Sequence, residues 1–135
     1  MAEDIRQNFG TDTAVTIALA SLADAASAVS DAIDLGTPGP FALSIEAKLD
    51  GSAAGNTGPV EIFAQWSNEN TDFSDSGNDL LIGAVQMNGT TAVIKVFAVS
   101  VHARYVKFRV ANNSGAALAA SGNTLRYVPV SVDQA

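Results

Sequence analysis

The sequence has no cysteine, a single histidine and few aromatic residues, with one tryptophan, two tyrosines and six phenylalanines among 135 residues. The absence of cysteine excludes disulfides, thiolate metal sites and thiol catalysis. The histidine, His102, has no orienting partner visible in the sequence, so we expect a residue of a strand junction and not a general base. No serine lies in the Gly-x-Ser-x-Gly pattern of a nucleophile elbow. We therefore predict a protein that is not an enzyme and holds no cofactor.

Long apolar runs are also missing. The alanine-rich stretch at residues 14–35 is interrupted by Asp24, Asp31 and Asp34, and a membrane-spanning helix needs about 18 or more apolar residues in succession. The first residues lack the basic and apolar segments of a secretory signal. We therefore expect a soluble protein that contacts no membrane.

Basic residues are few, since seven Lys and Arg stand against fourteen Asp and Glu, for a net charge of −7. This balance disfavours non-specific binding to nucleic acid. Thirteen of the acids lie in residues 1–79 and five of the bases lie in residues 80–135. A fold that keeps these two parts separate would have one acidic and one basic end, suited to docking on copies of itself or on a charged scaffold. A β fold that interleaves the two parts would not have such ends.

Apolar and polar residues alternate with a period of two after residue 12. The clearest example is the segment 41–49, in which Leu43 and Ile45 share one face and Ser44 and Glu46 share the other. Such alternation is typical of a strand with one buried and one solvated face. We predict an all-β protein with a short N-terminal arm at residues 1–12 and, at residues 13–135, a single jelly-roll-like β-sandwich of about eight antiparallel strands. The predicted strands lie at residues 13–22, 27–35, 41–50, 59–66, 80–87, 90–101, 103–111 and 124–132.

Three details of this prediction concern particular strands. In the segment 59–66, alternation points Trp66 inward and Phe63 and Gln65 outward. The segment 90–101 is apolar on both faces except for Lys95 and Ser100, so we expect it in the centre of a sheet. The dipeptide Asn88-Gly89 predicts a type I′ hairpin that joins the segments on either side of it.

Two glutamates are the only candidates for a glycosidase pair. Glu46 and Glu61 are predicted on the outward faces of strands that are near neighbours, and such a pair needs carboxyl groups roughly 5–10 Å apart in a cleft. Solvated sheet faces carry acids routinely, so we favour a solvated position for both.

The loop at residues 72–79 is a candidate calcium site. It supplies Asp72, Asp75 and Asp79 together with two serines and an asparagine, and calcium prefers several oxygen ligands on a flexible loop. The spacing is not that of an EF-hand, and the same residue types dominate ordinary turns. We therefore favour an ordinary loop without a metal.

Six residues are candidates for partner binding. Two are apolar residues of the arm, two are aromatic residues predicted to face outward, and two are basic residues on the strand face of one of those aromatics. Several exposed aromatic side chains on one face mark an interface. The bases have two interpretations that the sequence leaves open, because they either pair with cross-strand acids or meet an acidic surface on a partner. The residues are Ile5, Phe9, Phe63, Tyr105, Lys107 and Arg109.

The chain resembles the small all-β virion proteins of tailed bacteriophages, which include capsid decoration (cement) proteins and head or tail accessory proteins. The resemblance covers the arm, the Ala/Ser-rich residues 13–35, Ala-Lys-Leu-Asp-Gly-Ser-Ala-Ala-Gly at 47–55, Val-Glu-Ile-Phe-Ala-Gln-Trp-Ser at 60–67 and Ala-Arg-Tyr-Val-Lys-Phe-Arg-Val-Ala-Asn-Asn at 103–113. It implies a homo-oligomer, often a trimer, that is made in the host cytoplasm and stabilises the capsid surface by binding the major capsid protein or another virion subunit. It also implies that the arm reaches a neighbouring subunit.

A second resemblance leaves an alternative open. The segment 103–110 is similar to the closing strand of carbohydrate-binding jelly rolls, which would imply a glycan-binding module. Such modules need aromatic platforms on which sugars stack, and the single tryptophan of this chain is predicted to point inward.

Overall fold

Alternating apolar residues build two antiparallel sheets in the computed structural model, which describes residues 5–75 and 77–134. These residues contain ten strands and no helix, and so no helix that is long and apolar enough to cross a membrane. The strands are β1 (Ile5–Phe9), β2 (Thr13–Ala14), β3 (Ser27–Val29), β4 (Ile33–Asp34), β5 (Ala42–Leu49), β6 (Pro59–Ser67), β7 (Leu80–Gln86), β8 (Val93–Ser100), β9 (Tyr105–Asn112) and β10 (Thr124–Gln134).

The connections between the strands are those of a jelly roll. Sheet A has the order β1-β10-β5-β8, with β2 also paired to β10, and sheet B has the order β3-β9-β6-β7, with β4 also paired to β9. The strands β1 and β2 together occupy one strand position, and so do β3 and β4. The sandwich therefore has four strand positions in each sheet. Apart from the short links from β1 to β2 and from β3 to β4, only the connection from β6 to β7 stays within a sheet; the others cross from one sheet to the other. The predicted jelly-roll-like sandwich of about eight strands is therefore confirmed.

The hydrophobic core lies between the inner faces of the two sheets. On β5, Leu43, Ile45 and Leu49 are all but fully buried, and on the facing sheet Ile62 and Phe108 are fully buried. These residues stand at alternate positions of their strands, as the period of two predicts. Burial of each such side chain contributes about 1.5–3 kcal/mol relative to exposure, which makes this layer the main source of stability.

The segment predicted as an arm contains an edge strand. Residues 5–9 form β1, which pairs with residues 130–134 of β10, so that Phe9 lies opposite Val130. Gly10 continues the pairing by donating its N–H to the Pro129 carbonyl. Residues 1–4 and the side chain of Ile5 lie outside the described part of the chain.

The predicted strands at residues 13–22 and 27–35 are much shorter in the structure. Ser21, near the end of the first segment, and Ala25, between the two segments, have φ angles of 54° and 62°, a left-handed conformation through which a strand cannot continue. Between β3 and β4, the Ser30 hydroxyl accepts the Phe108 N–H in place of a backbone carbonyl. The break within the second segment was not visible in its apolar pattern.

The prediction that residues 90–101 lie in the centre of a sheet is wrong. The strand β8 pairs with β5 alone and forms the edge of sheet A. A turn is present at Asn88-Gly89, but it is not of the predicted type I′, because Gly89 has a φ of 58° and Asn88 has no positive φ. It crosses from β7 in sheet B to β8 in sheet A and closes no hairpin between them. A strand with two apolar faces was expected to be covered on both, whereas the outer face of β8 is uncovered.

Candidate protein-interaction surfaces

The outer face of sheet B gathers four of the six predicted partner-binding residues. Phe63 and Arg109 are direct cross-strand partners on β6 and β9, and Tyr105 and Lys107 follow on the same face of β9. The guanidinium carbon of Arg109 lies 4.0 Å from the centroid of the Phe63 ring. The sequence predicted that this face carries aromatic and basic residues together, and each of these side chains is half-buried in the structure.

The connection from β6 to β7 folds over this face. Lys107 Nζ lies 4.5 Å from the ring centroid of Phe73 in that connection, and Gln65, predicted to face outward, is buried beneath it. The Ser74 hydroxyl accepts the N–H of Trp66, and the Trp66 carbonyl accepts the N–H of Ser74. The loop therefore covers a sheet face that alternation alone predicts to be solvated.

An ion pair anchors the end of this loop. Arg109 Nε lies 2.7 Å from Asp79 Oδ2, and the two side chains are 14% and 1% exposed. Gln65 Nε2 donates to the same oxygen over 3.3 Å. Burial by itself raises the pKa of Asp79, but the hydrogen bonds from Arg109 and Gln65 and the positive charge of Arg109 outweigh it and lower that pKa below its ordinary value. Asp79 is therefore ionised and paired with Arg109.

Two of the three aspartates of the candidate calcium loop, Asp75 and Asp79, form hydrogen bonds within the protein. The Asp75 carbonyl accepts the N–H groups of Asn78 and Asp79, and Asp72 and Asp75 are exposed. Across residues 5–75 and 77–134, no group of three or more His, Cys, Asp or Glu side chains has the arrangement of a metal site. The loop contributes to the structure through Asp79 and its ion pair.

Three ion pairs of the described chain join its acidic and basic parts. Arg109 bonds to Asp79, Arg104 Nε lies 2.9 Å from Asp34 Oδ1, and Arg126 Nε lies 3.0 Å from Asp12 Oδ2. Every acid in these pairs comes from residues 1–79 and every base from residues 80–135. The sheets thus interleave the two parts, and residues 5–75 and 77–134 do not separate into an acidic and a basic end. Arg109 on β9 and Arg104 beside it are therefore neutralised within the molecule.

The two candidate glycosidase carboxylates lie on opposite sides of the molecule. Glu46 is on the outer face of sheet A, on β5, and Glu61 is on the outer face of sheet B, on β6. Glu61 Oε1 accepts a hydrogen bond from Asn113 Nδ2. Two stacked sheets are about 10 Å apart even before outward side chains are added, so the two carboxyl groups cannot flank one bond. The expectation that their strands are close neighbours is wrong.

His102 lies at one end of the sandwich, between β8 and β9. Its ring stacks on Trp66, with 5.3 Å between the ring centroids. It borders an open depression of about 290 Å³ beside Arg104 and Pro40. The imidazole is exposed, and the described residues give it no carboxylate to orient a proton transfer.

Sequence reasoning missed the outer face of sheet A as a surface, although Phe9, a predicted partner-binding residue, lies on it. Phe9, Ile94, Val96 and Val132 are between 54% and 62% exposed, and all four face outward from this one sheet. The strand register places Val96 beside Glu46 and Arg126, and Val130 beside Ala42 and Phe9. The available signal was the two-sided apolar pattern of residues 93–100, which we assigned to a buried strand.

The charges on this face balance. Lys48 and Glu46 follow each other on the outer face of β5, Arg126 is the cross-strand partner of Glu46, and Asp12 accepts from Arg126. Two bases and two acids leave this face without net charge in a chain of net charge −7. Glu46, Arg126, Asp12 and Ser44 also line a depression of about 260 Å³ on the same face.

Comparison with known proteins finds no family model and no curated protein that matches the chain. Among solved structures, the chain is similar to murine APRIL, with a TM-score of 0.49 and 10% identity over 95% of this chain and 99% of that chain. It is also similar to the CBM22-1 xylan-binding domain of Paenibacillus barcinonensis Xyn10C, with a TM-score of 0.45 and 13% identity over 98% and 96% of the two chains. For the N-terminal cellulose-binding domain of Cellulomonas fimi β-1,4-glucanase C, the TM-score is 0.36 and the identity 13%, over 91% and 79% of the two chains.

Carbohydrate-binding modules thus occur among the similar structures, and the similar proteins share the jelly-roll fold. At these identities and TM-scores the likeness carries no argument about function, which has to come from the surfaces themselves.

Proposed function

We propose that the protein is a non-catalytic structural subunit that acts through protein–protein contact, as a decoration or accessory protein of a virion. The observation that carries the proposal is the uncovered apolar outer face of sheet A, with Phe9, Ile94, Val96 and Val132 more than half exposed. Ile94 and Val96 are neighbours on β8, and Phe9 and Val132 are neighbours across β1 and β10, with Glu46 and Arg126 between the two pairs. Clusters of exposed apolar side chains mark interaction sites in soluble proteins. Burial of each of these side chains in a contact contributes on the order of 1–2 kcal/mol.

Such contacts become effective in a large assembly by repetition. A protein that binds the assembled shell and not its free subunits shifts the equilibrium toward the intact shell. Linked copies also bind more tightly than single ones, because each bound copy raises the local concentration of the next site. Modest contacts that are repeated over many copies are therefore sufficient for this function.

The test begins with particles purified from the source that encodes this chain. We expect quantitative mass spectrometry to find the protein in a fixed ratio to the major capsid protein. Wild-type protein added to particles that lack it should restore that ratio, and Val96→Asp, which puts a charge on the apolar face, should not. Val29→Asp is the matched control, because Val29 is 49% exposed on sheet B. Absence of the protein from particles, or equal binding of the two variants, would contradict the proposal.

A glycan-binding module is the second candidate, and one observation favours it. The depression between Glu46 and Arg126 presents two carboxylates, a guanidinium and the Ser44 hydroxyl on an open sheet face, and these groups hydrogen-bond sugar hydroxyls well. No tryptophan lies there, since Trp66 packs at the end of sheet B against His102. Saturable binding on a glycan array that is lost in Glu46→Gln would establish this function instead of the first.

A further inference from the structure

We infer that the occupant of the outer face of sheet A is a second copy of this chain, packed face to face about a two-fold axis that runs parallel to the strands. This inference rests on the proposed function, because it names the partner on the same face. It follows from the order and register of the strands in sheet A.

The two central strand positions of sheet A are those of β10 and β5, with β1 and β2 on one side and β8 on the other. A two-fold axis that runs between β5 and β10 reverses the order of the strands across the sheet. It leaves the position of each residue along the strand direction unchanged. It therefore lays β5 of one copy over β10 of the second copy, and β8 over β1 and β2. An interface of this kind is isologous, so each contact occurs twice.

This arrangement places opposite charges over each other. Glu46 and Arg126 lie in the same cross-strand row, on β5 and β10. The axis therefore brings Glu46 of each copy over Arg126 of the other. Sheets that pack face to face are about 10 Å apart, a gap that these two long side chains bridge together.

The same axis sets a large apolar residue against a small one. Val96 and Ala14 lie in the row of Glu46 and Arg126, and the axis brings them into opposition. Alternation of large and small side chains is what lets two sheet faces interdigitate.

Charge and area also fit a second copy. A chain of net charge −7 repels its own copies, and the outer face of sheet A is a surface where acids and bases cancel. Four strand positions about 4.8 Å apart, with strands about 26 Å long, give a face of roughly 500 Å². Two such faces bury about 1,000 Å² in total, the lower limit for a specific interface. We therefore expect a reversible dimer.

The experiment uses charge exchange between two variants. In a homodimer of Glu46→Arg, the new arginine of each copy opposes Arg126 of the other, which gives two contacts between bases. In a homodimer of Arg126→Glu, the new glutamate of each copy opposes Glu46 of the other, which gives two contacts between acids. We expect each variant alone to dimerise at least about tenfold more weakly than wild type, a loss of about 1.4 kcal/mol. An equimolar mixture restores both opposite-charge contacts, so native mass spectrometry should show mainly the heterodimer. Thermal unfolding of each variant checks that it folds.

Controls separate this inference from a general effect of charge. Val96→Asp should dissociate the dimer, and Val29→Asp on sheet B should leave it intact. A wild-type trimer, a wild-type monomer at high micromolar concentration, or a mixture without heterodimer overturns the inference.

Failure of the inference and failure of the proposed function give different results. If wild type is monomeric but Val96→Asp still abolishes particle binding, the face contacts another virion subunit, and only the second-copy inference is overturned. If Val96→Asp changes neither dimerisation nor particle binding, both are overturned.

Discussion

Removal of the Asp79 charge tests the ion pair that fastens the β6–β7 loop to sheet B. The substitution Asp79→Asn keeps the shape of the side chain but leaves the Arg109 guanidinium, which is 14% exposed, without its carboxylate. Loss of one partner of a buried ion pair costs about 3–5 kcal/mol. Arg109 retains the Phe63 ring at 4.0 Å and a hydrogen bond to Ser27, which offset part of that loss. We therefore expect the free energy of unfolding to fall by about 2–4 kcal/mol.

The assay is equilibrium unfolding in urea, analysed by linear extrapolation with an unchanged dependence on denaturant. For a domain of this size the same loss lowers Tm by about 10 °C. Asp72→Asn makes the same chemical change on an exposed aspartate of the same loop, and its unfolding should be indistinguishable from that of wild type. A loss below about 1 kcal/mol for Asp79→Asn would show that the pair behaves as a solvent-exposed one, and the argument from burial would be wrong.

A double-mutant cycle separates the pair from its surroundings. Replacement of the second partner as well, by Arg109→Met, removes the uncompensated charge. We expect the double variant Asp79→Asn with Arg109→Met to be more stable than Asp79→Asn alone, because two absent charges cost less than one unpaired charge. Additive losses would contradict this account.

Three further predictions follow from single contacts. Gly83→Ala places a Cβ against the Phe97 ring between β7 and β8, and we expect urea unfolding to show a loss of about 1–3 kcal/mol. Asn56 is fully buried and donates to Ser114 Oγ and to two carbonyls, so Asn56→Asp should lower Tm with a loss of at least about 3 kcal/mol. The hydrogen bond from Arg104 lowers the pKa of Asp34 from 3.8 to about 2. A lowered pKa stabilises the fold above pH 4 and less as the pH falls toward 2, so Asp34→Asn should unfold with a weaker dependence on pH in this range.

Much of the fold followed from the pattern of residues 41–49, 59–66 and 103–111. Their alternation correctly predicted the inner faces of β5, β6 and β9, because a strand's two faces are set by the backbone itself. The turn at Asn88-Gly89 was also correct as a turn. The predicted hairpin was wrong, because a dipeptide does not determine whether the next strand pairs with the preceding one or crosses to the other sheet.

The candidate surfaces were predicted in part. Phe63, Tyr105, Lys107 and Arg109 do share one outer face, because their positions on β6 and β9 have the same parity. The sequence did not predict that the loop after β6 folds over this face or that Arg109 binds Asp79. Both depend on a contact between residues 30 positions apart. The apolar face of sheet A was missed for a similar reason, because Ile94 and Val96 face outward as a result of the pairing of β8 with β5, which is distant in the sequence.

The sequence by itself determined that the chain forms short strands, which side of most of them is buried, and that no thiol chemistry is available. These properties depend on residue type and on the near neighbours of each residue. Only the tertiary structure decided which strands lie side by side, and with them the interleaving of acids and bases and the apolar face of sheet A. The physical reason is that strand pairing is a competition among distant segments, and the outcome depends on packing across the whole sandwich.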